Sequence, residues 1–303
     1  MESAFIKSIT FEGVKDSNEV YHGKKDYLNA SAIKNLKVSP AYFKVKQTEK
    51  DEPSDAKTFG SAYHTMILEL ENFENEFYIF DDQFIIDVLK GEGSKSPRAT
   101  NKYKEWLEGE MQEAGNRILI DKPTFDHIEA MRSVLHRHKY AKSLFSNGEA
   151  EKSFYCEVET NEGFSFKVKI RPDYNKHKNR IITDLKSAHD ASSNEFARDA
   201  AKYNYHIQAA LYSDIMGAIT GDIWPFFFVA QEKTAPYAFN IFEAGSQFIS
   251  QGRYEYEQLI RMWHMCNEND RWPGYQVFCE NRFGVLELKL PAYSINEINF
   301  YNH

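Results

Sequence analysis

Alternation of apolar and polar residues is clearest between positions 154 and 171, in two runs around the polar turn Asn161-Glu162-Gly163. A period of two marks a half-buried strand, so residues 154–160 and 164–171 are predicted to pair as a hairpin. In the second run Phe164, Phe166, Val168 and Ile170 form one face, and Ser165, Lys167, Lys169, Arg171 and then Asp173 form the other. After another polar turn, Ile181-Ile182-Thr183-Asp184-Leu185-Lys186 reads as the adjacent strand. On it Asp184 and Lys186 project together while Leu185 points the opposite way, and Asp173 can meet them across the hairpin. The apolar run at 224–230 reads as a buried strand.

Elsewhere the pattern turns helical. Asn29 or Ser31 is the expected N-cap of one helix, and Ser39-Pro40 opens the next, with proline at a first helical position. Further helices are predicted over 58–69, 101–115 and 123–140. Ser192-x-x-Glu195 reads as a capping box for a helix running to about residue 218, and an amphipathic helix spans 246–267. The stretch up to Lys25 is expected to form a short hairpin, residues 50–57 a charged loop, and residues 87–100, rich in Gly, Ser and Pro, another loop. No repeat or boundary divides the chain. The expectation is one α/β domain over 1–303, with residues 1–150 mainly helical and 151–303 supplying the sheet and its flanking helices.

Composition narrows the class. A 42% hydrophobic, 15% aromatic chain of 303 residues is a folded protein. No apolar run approaches 18 residues and the start lacks a secretory layout, so a cytoplasmic protein without membrane contact is expected. Cys156, Cys266 and Cys279 are widely spaced and contain no C-x-x-C pair, which argues against a disulfide framework or a cysteine-bound metal. A net charge of −8 excludes a protein that coats nucleic acid nonspecifically, though not an enzyme acting on it.

The chemistry lies in the acidic strand ends. Two carboxylates and an amine at one sheet edge can hold a divalent metal beside a phosphate. Read alone, the same residues also fit a solvated strand end with a surface ion pair. His64, among apolar neighbours, fits a hydrogen-bonded core histidine as well as a ligand. Gln208 and Tyr212, four residues apart on one helical face, fit an ordinary amphipathic helix.

Taken together, the order His64, Pro172-Asp173, Asp184-x-Lys186, Gln208-x-x-x-Tyr212 resembles the PD-(D/E)XK nuclease superfamily, in its Q-x-x-x-Y branch. The blocks Leu28-Asn-Ala-Ser-Ala-Ile-Lys34, Ser39-Pro-Ala-Tyr-Phe43, Phe59-Gly-Ser-Ala-Tyr-His-Thr-Met-Ile-Leu-Glu69 and Tyr205-His-Ile-Gln-Ala-Ala-Leu-Tyr212 are similar to RecE-type exonucleases (exonuclease eight). The likeness covers roughly residues 26–275 and is loose over 72–150. It implies a restriction-endonuclease-like core, a central mixed sheet flanked by helices with N-terminal helical additions. It also implies a 5′→3′ exonuclease on double-stranded DNA ends, assembled as a ring and partnered by a single-strand-annealing, RecT-like recombinase. Two magnesium ions per site are implied, with manganese an alternative, held by Asp173, Asp184, His64 and the Leu185 carbonyl. Lys186 would be the catalytic amine, with Gln208 and Tyr212 in support. Some members of the branch carry a four-cysteine iron–sulfur cluster, which three scattered cysteines cannot supply. Ser31 and Lys34, at a helix start, and Lys167, Lys169 and Arg171, on the Asp173 face, are expected to contact DNA. The rival readings are a structure-specific or restriction-type endonuclease of the same superfamily, a non-catalytic DNA-binding protein, and a metal protein unrelated to nucleic acid whose motif matches are accidental.

Overall fold

The computed structural model describes residues 4–49, 54–278, 285 and 287–289; Cys279 and the remainder of the expected 1–303 domain lie outside them. The chain opens with β1 (Ile6–Val14) and α1 (Asn18–Gly23), followed by α2 (Ala30–Val38), α3 (Pro40–Thr48) and α4 (Asp55–Leu68). Asn29 caps α2 by accepting from Ala32 N at 2.7 Å, and Ser39 caps α3 from Tyr42 N at 3.1 Å. Both serve donors that a helix start leaves unpaired.

A peripheral segment follows, made of α5 (Phe73–Glu76), β2 (Phe77–Phe80), α6 (Gln83–Gly91), α7 (Asn101–Ala114) and β3 (Ile118–Asp121), in which β2 and β3 pair in parallel. α8 (Lys122–Arg137) and α9 (Lys139–Leu144) lead back to the main body. The sheet region comprises β4 (Glu149–Ala150), β5 (Ser153–Thr160), β6 (Ser165–Ile170), β7 (Tyr174–Lys176) and β8 (Ile181–Ala188). α10 (Ser193–Lys202), α11 (Tyr205–Thr220), β9 (Phe226–Glu232), β10 (Phe239–Glu243) and α12 (Ser246–Glu268) complete it.

Five strands form a mixed sheet in the order β10-β9-β8-β7-β4, parallel only between β8 and β9. A separate antiparallel sheet has the order β1-β5-β6. Ile182, Phe226 and Phe228 pack with Ile207, Leu211 and Ile215 of α11 in one core. Leu185 and Val229 pack in a second core with Tyr63 and Met66 of α4 and Met131 of α8. β8 therefore lies between two helical layers. Its residues alternate between them, and Asp184 shares the α11-side face with Ile182. This is the expected α/β architecture: a mixed sheet flanked by helices.

Several elements differ from the sequence reading. The N-terminal stretch is no hairpin, since β1 pairs with β5, more than a hundred residues downstream. The strand beside β8 is the short β7, while β6 belongs to the other sheet. Pro172 lies at this change, where a residue without an N–H cannot extend a ladder. The helix expected to begin at a Ser192 capping box is two helices. Asn204, at φ 54°, breaks them, Ser192 makes no side-chain cap, and Glu195 pairs with Arg198 instead. α6 enters the stretch expected to be a loop because Leu89 is buried on its inner face. α4 begins at Asp55 behind its cap Ser54, inside the expected charged loop. Among the described residues, no helix is long and apolar enough to cross a membrane.

Candidate active site

β8 pairs with β9 along its length, whereas β7 covers its other side only from Ile181 to Thr183. Ile182 N–H donates to Pro225 O on the β9 side at 3.0 Å. Because strand residues alternate direction, Leu185 presents its N–H and C=O on the β7 side, past the end of that strand. Asp173, immediately before β7, fills the gap, and its Oδ2 accepts from Leu185 N at 2.7 Å. The register that pairs Tyr174 with Thr183 thus sets Asp173 beside Asp184.

Asp184 is 1% exposed. Its Oδ1 accepts from Gln208 Nε2 at 2.7 Å, and its Oδ2 is ion-paired with the Lys186 ammonium. Burial and the Asp173 charge push the Asp184 carboxyl up to about 6 in spite of Lys186. Burial also raises Asp173, against the pull of His64 and Lys186. Burial works to lower Lys186, but the two carboxylates outweigh it and hold the ammonium well above its ordinary range. These shifts describe like charges gathered out of water, an arrangement that favours a cation among them.

His64 reaches the cluster from α4. Its Nδ1 lies 3.6 Å from Asp173 Oδ2 and 3.9 Å from Glu151 Oε1. Burial lowers this imidazole, yet the two carboxylates prevail and raise it. One ligand atom from each of His64, Glu151 and Asp173 lies within 4.8 Å of the others. A nitrogen and carboxylate oxygens at this spacing fit a divalent cation that accepts both donors, as manganese does, and magnesium in an oxygen-rich arrangement.

Sequence reasoning missed Glu151. It stands between β4 of one sheet and β5 of the other, at φ 49°, with its N–H on Asp173 O at 3.1 Å. A non-glycine residue in the left-handed region is costly and marks a place where the surroundings dictate the turn. Here that turn carries the carboxylate to Asp173. Gly148, just before it, is packed so closely that a Cβ would lie 2.3 Å from Asn175 O. No pattern around Gly148-Glu149-Ala150-Glu151 announces this in the sequence.

α11 supplies the support. Gln208 fixes Asp184, and buried Tyr212, four residues on, lies by the Arg171 backbone, behind the segment that leads to Asp173. Ser31 lines a cleft of about 210 Å³ together with Tyr21, Asn29, Glu151, Arg171 and Gln208. Lys34, one turn further along α2, places its ammonium 5.4 Å from the centre of the Tyr205 ring. Lys186 sits 5.1 Å from the same ring.

The lysines of β6 are placed differently from the site residues. Residues 16–28 cover their sheet face. Lys169 is buried and donates to Tyr21 O at 2.5 Å and Lys24 O at 2.7 Å. Arg171 donates to Ser153, Asn18 and Asp16, and its guanidinium lies 3.9 Å from the Tyr21 ring centre. Lys167 is at the surface, 3.3 Å from Asp26 and 3.8 Å from Glu157. The donors of Lys169 and Arg171 are therefore occupied in holding α1 against the sheet.

Comparison with known proteins agrees with this geometry. A crystal structure of a "putative exonuclease" from Eubacterium rectale superposes with a TM-score of 0.55 at 19% identity, covering 92% of this chain and 96% of that one. At that identity the likeness speaks to the fold. No curated protein matches the chain. The profile of a family described as a PDDEXK-like domain of unknown function (DUF3799) matches residues 29–282, which include every member of the cluster above. The chain belongs to this PDDEXK-like family and so to the PD-(D/E)XK nuclease superfamily.

Proposed function

We propose that the protein is a metal-dependent exodeoxyribonuclease that degrades linear double-stranded DNA from its 5′ ends. In this reading the 3′ single strands it leaves are passed to a single-strand-annealing partner. The observation that carries the reading is the convergence of Asp173 and Asp184 at the open edge of β8, with Lys186 against them and His64 and Glu151 alongside. The family match and the exonuclease-like fold support it.

Asp173, Asp184, His64 and Glu151 would hold the cation, with the Leu185 carbonyl on the same side of the strand. A divalent cation there supplies Lewis-acid polarisation of the scissile phosphate. The chain's own groups do the rest. Lys186 brings a fixed positive charge to the oxygens on which negative charge builds as water adds to phosphorus and the P–O3′ bond breaks. Gln208 holds the Asp184 carboxylate in one orientation, and the Leu185 N–H does the same for Asp173. Tyr212 braces the backbone that leads to Asp173. A protein working this way in the cytoplasm would gain run length by closing into a ring around its duplex, which fits the acidic net charge of −8.

The test compares a linear duplex carrying a 5′-phosphate at one end only with a closed circle of the same sequence, both in magnesium. The reading expects mononucleotides from the phosphorylated end, an intact circle, and no release by Asp184→Ala. Cutting of the circle would establish the endonuclease alternative. Unchanged release by Asp184→Ala would remove the site from the reaction.

A further inference from the structure

The α10–α11 corner presents a row of rings and ammonium groups that the cluster of acids does not use. Asn204, in the left-handed conformation at φ 54°, ends one helix and starts the next, bringing Tyr203 and Tyr205 to the same side. Their rings stack at 5.8 Å and 28°. Lys202 lies over the outer ring at 5.1 Å, while Lys34 and Lys186 lie by the inner one at 5.4 Å and 5.1 Å. Tyr203 is 47% exposed, and the side chain over it, Lys202, is exposed as well. Lys37 donates to Asn204 Oδ1 at 2.7 Å and fastens the corner to α2.

Lys34 is the informative member. It is half-buried, and among the described residues it makes no ion pair or hydrogen bond; its ammonium lies by the Tyr205 ring. An ammonium taken partly out of water without an acceptor is costly; the nearby Lys186 charge adds to that cost and the Asp184 carboxylate offsets only part of it. An anion at this position would relieve both. The other cations close to the site have acceptors: Lys186 has Asp184, Lys169 has backbone carbonyls and Arg171 has Asp16.

We propose that Lys34, Tyr205, Tyr203 and Lys202 form a track for a single nucleic-acid strand leading from the scissile phosphate, with Lys34 taking a backbone phosphate and Tyr203 a base face. Alternating rings and cations suit such a strand, because every base has a face to stack and every linkage carries a charge. The track is local on an acidic protein, so the strand would be held where it is cut and little elsewhere. The choice of ligand rests on the nuclease reading above.

The test is fluorescence anisotropy with a short labelled single-stranded DNA, in calcium to fill the carboxylates, over a range of KCl concentrations. Tyr203→Ala is expected to weaken binding roughly five- to tenfold, and Tyr203→Phe, which keeps the ring, to restore it. Lys34→Met is expected to reduce the slope of log affinity against log salt by about 0.7, one phosphate contact on a single strand. Tyr203→Ala and Lys34→Met binding with wild-type affinity and slope would overturn the track. A wild type that binds the oligonucleotide in this pattern yet leaves linear duplex uncut would overturn the nuclease reading and keep the track.

Discussion

Gln208 and Glu151 illustrate how the site depends on groups beyond the two aspartates. Gln208 spends its amide on Asp184 Oδ1, orienting that carboxylate. Removing an orienting partner of this kind costs roughly ten- to a hundredfold in metal affinity or activity. Gln208→Ala should therefore lower the cleavage rate on linear duplex by about that factor, whereas Gln208→Glu, which sets a like charge against Asp184, should be worse. Glu151→Ala should raise the magnesium concentration for half-maximal cleavage at least about tenfold, read from a metal titration. Equal half-maximal concentrations would separate Glu151 from the cation. The pair also marks what the sequence discloses. Asp184 and Lys186 stand out because strand periodicity puts them on one face, whereas Asp173 and Gln208 stand out only through the spacing of the family motif, Asp173 being set by the β7–β8 register rather than by β6. Glu151 does not, because its place depends on a left-handed residue between two sheets and on a hydrogen bond to Asp173 O.

The elements around the site owe their positions to a few close contacts. α12 crosses α11 at Gly252, where a Cβ would lie 1.9 Å from His206 O. Gly252→Ala must push α11 away at the turn that carries Tyr205 and Gln208. Overpacking of this sort costs about 1–3 kcal/mol, which a urea unfolding curve would register. Nearby, Glu255 ties α2, α11 and α12 together. Burial pushes its carboxyl up, but hydrogen bonds from Lys37 and Gln251, with His206 Nε2 3.1 Å away, outweigh burial and bring it down from the ordinary 4.5 to about 2. A lowered folded-state value supplies stability that is present above pH 4.5 and lost as pH falls toward 2. The stability advantage of wild type over Glu255→Gln should accordingly be largest near neutrality and shrink over that acid window in thermal melts. An advantage constant down to pH 2.5 would contradict it. At this scale the sequence predicted α2, α3 and α12 well, because the caps of the first two and the apolar stripe of the third are local. It misjudged the break at Asn204 and the transfer of the chain from β6 to β7, both decided by tertiary packing.

At the scale of the whole molecule, β8 is the organising strand. One face packs against α11 and the other against α4 and α8, so the acids at its open edge have rigid support on both sides. The strands at 164–171, 181–186 and 224–230 were foreseeable from their alternating and continuous apolar runs, and the mixed sheet from the family resemblance. Its partition into two sheets, with β1 pairing to β5 across most of the chain's first half, was not, because strand pairing at that separation leaves no local mark. An acidic exterior with a charged centre predicts that general DNA affinity is weak and that cleavage follows the cation. The most direct measurement is the initial rate of DNA hydrolysis against magnesium concentration, for wild type, Asp173→Asn and Asp184→Asn. The account predicts saturable dependence in wild type, abolished by chelator, and rates at background for both variants at every concentration. Full activity in chelator, or a wild-type curve from either variant, would contradict it.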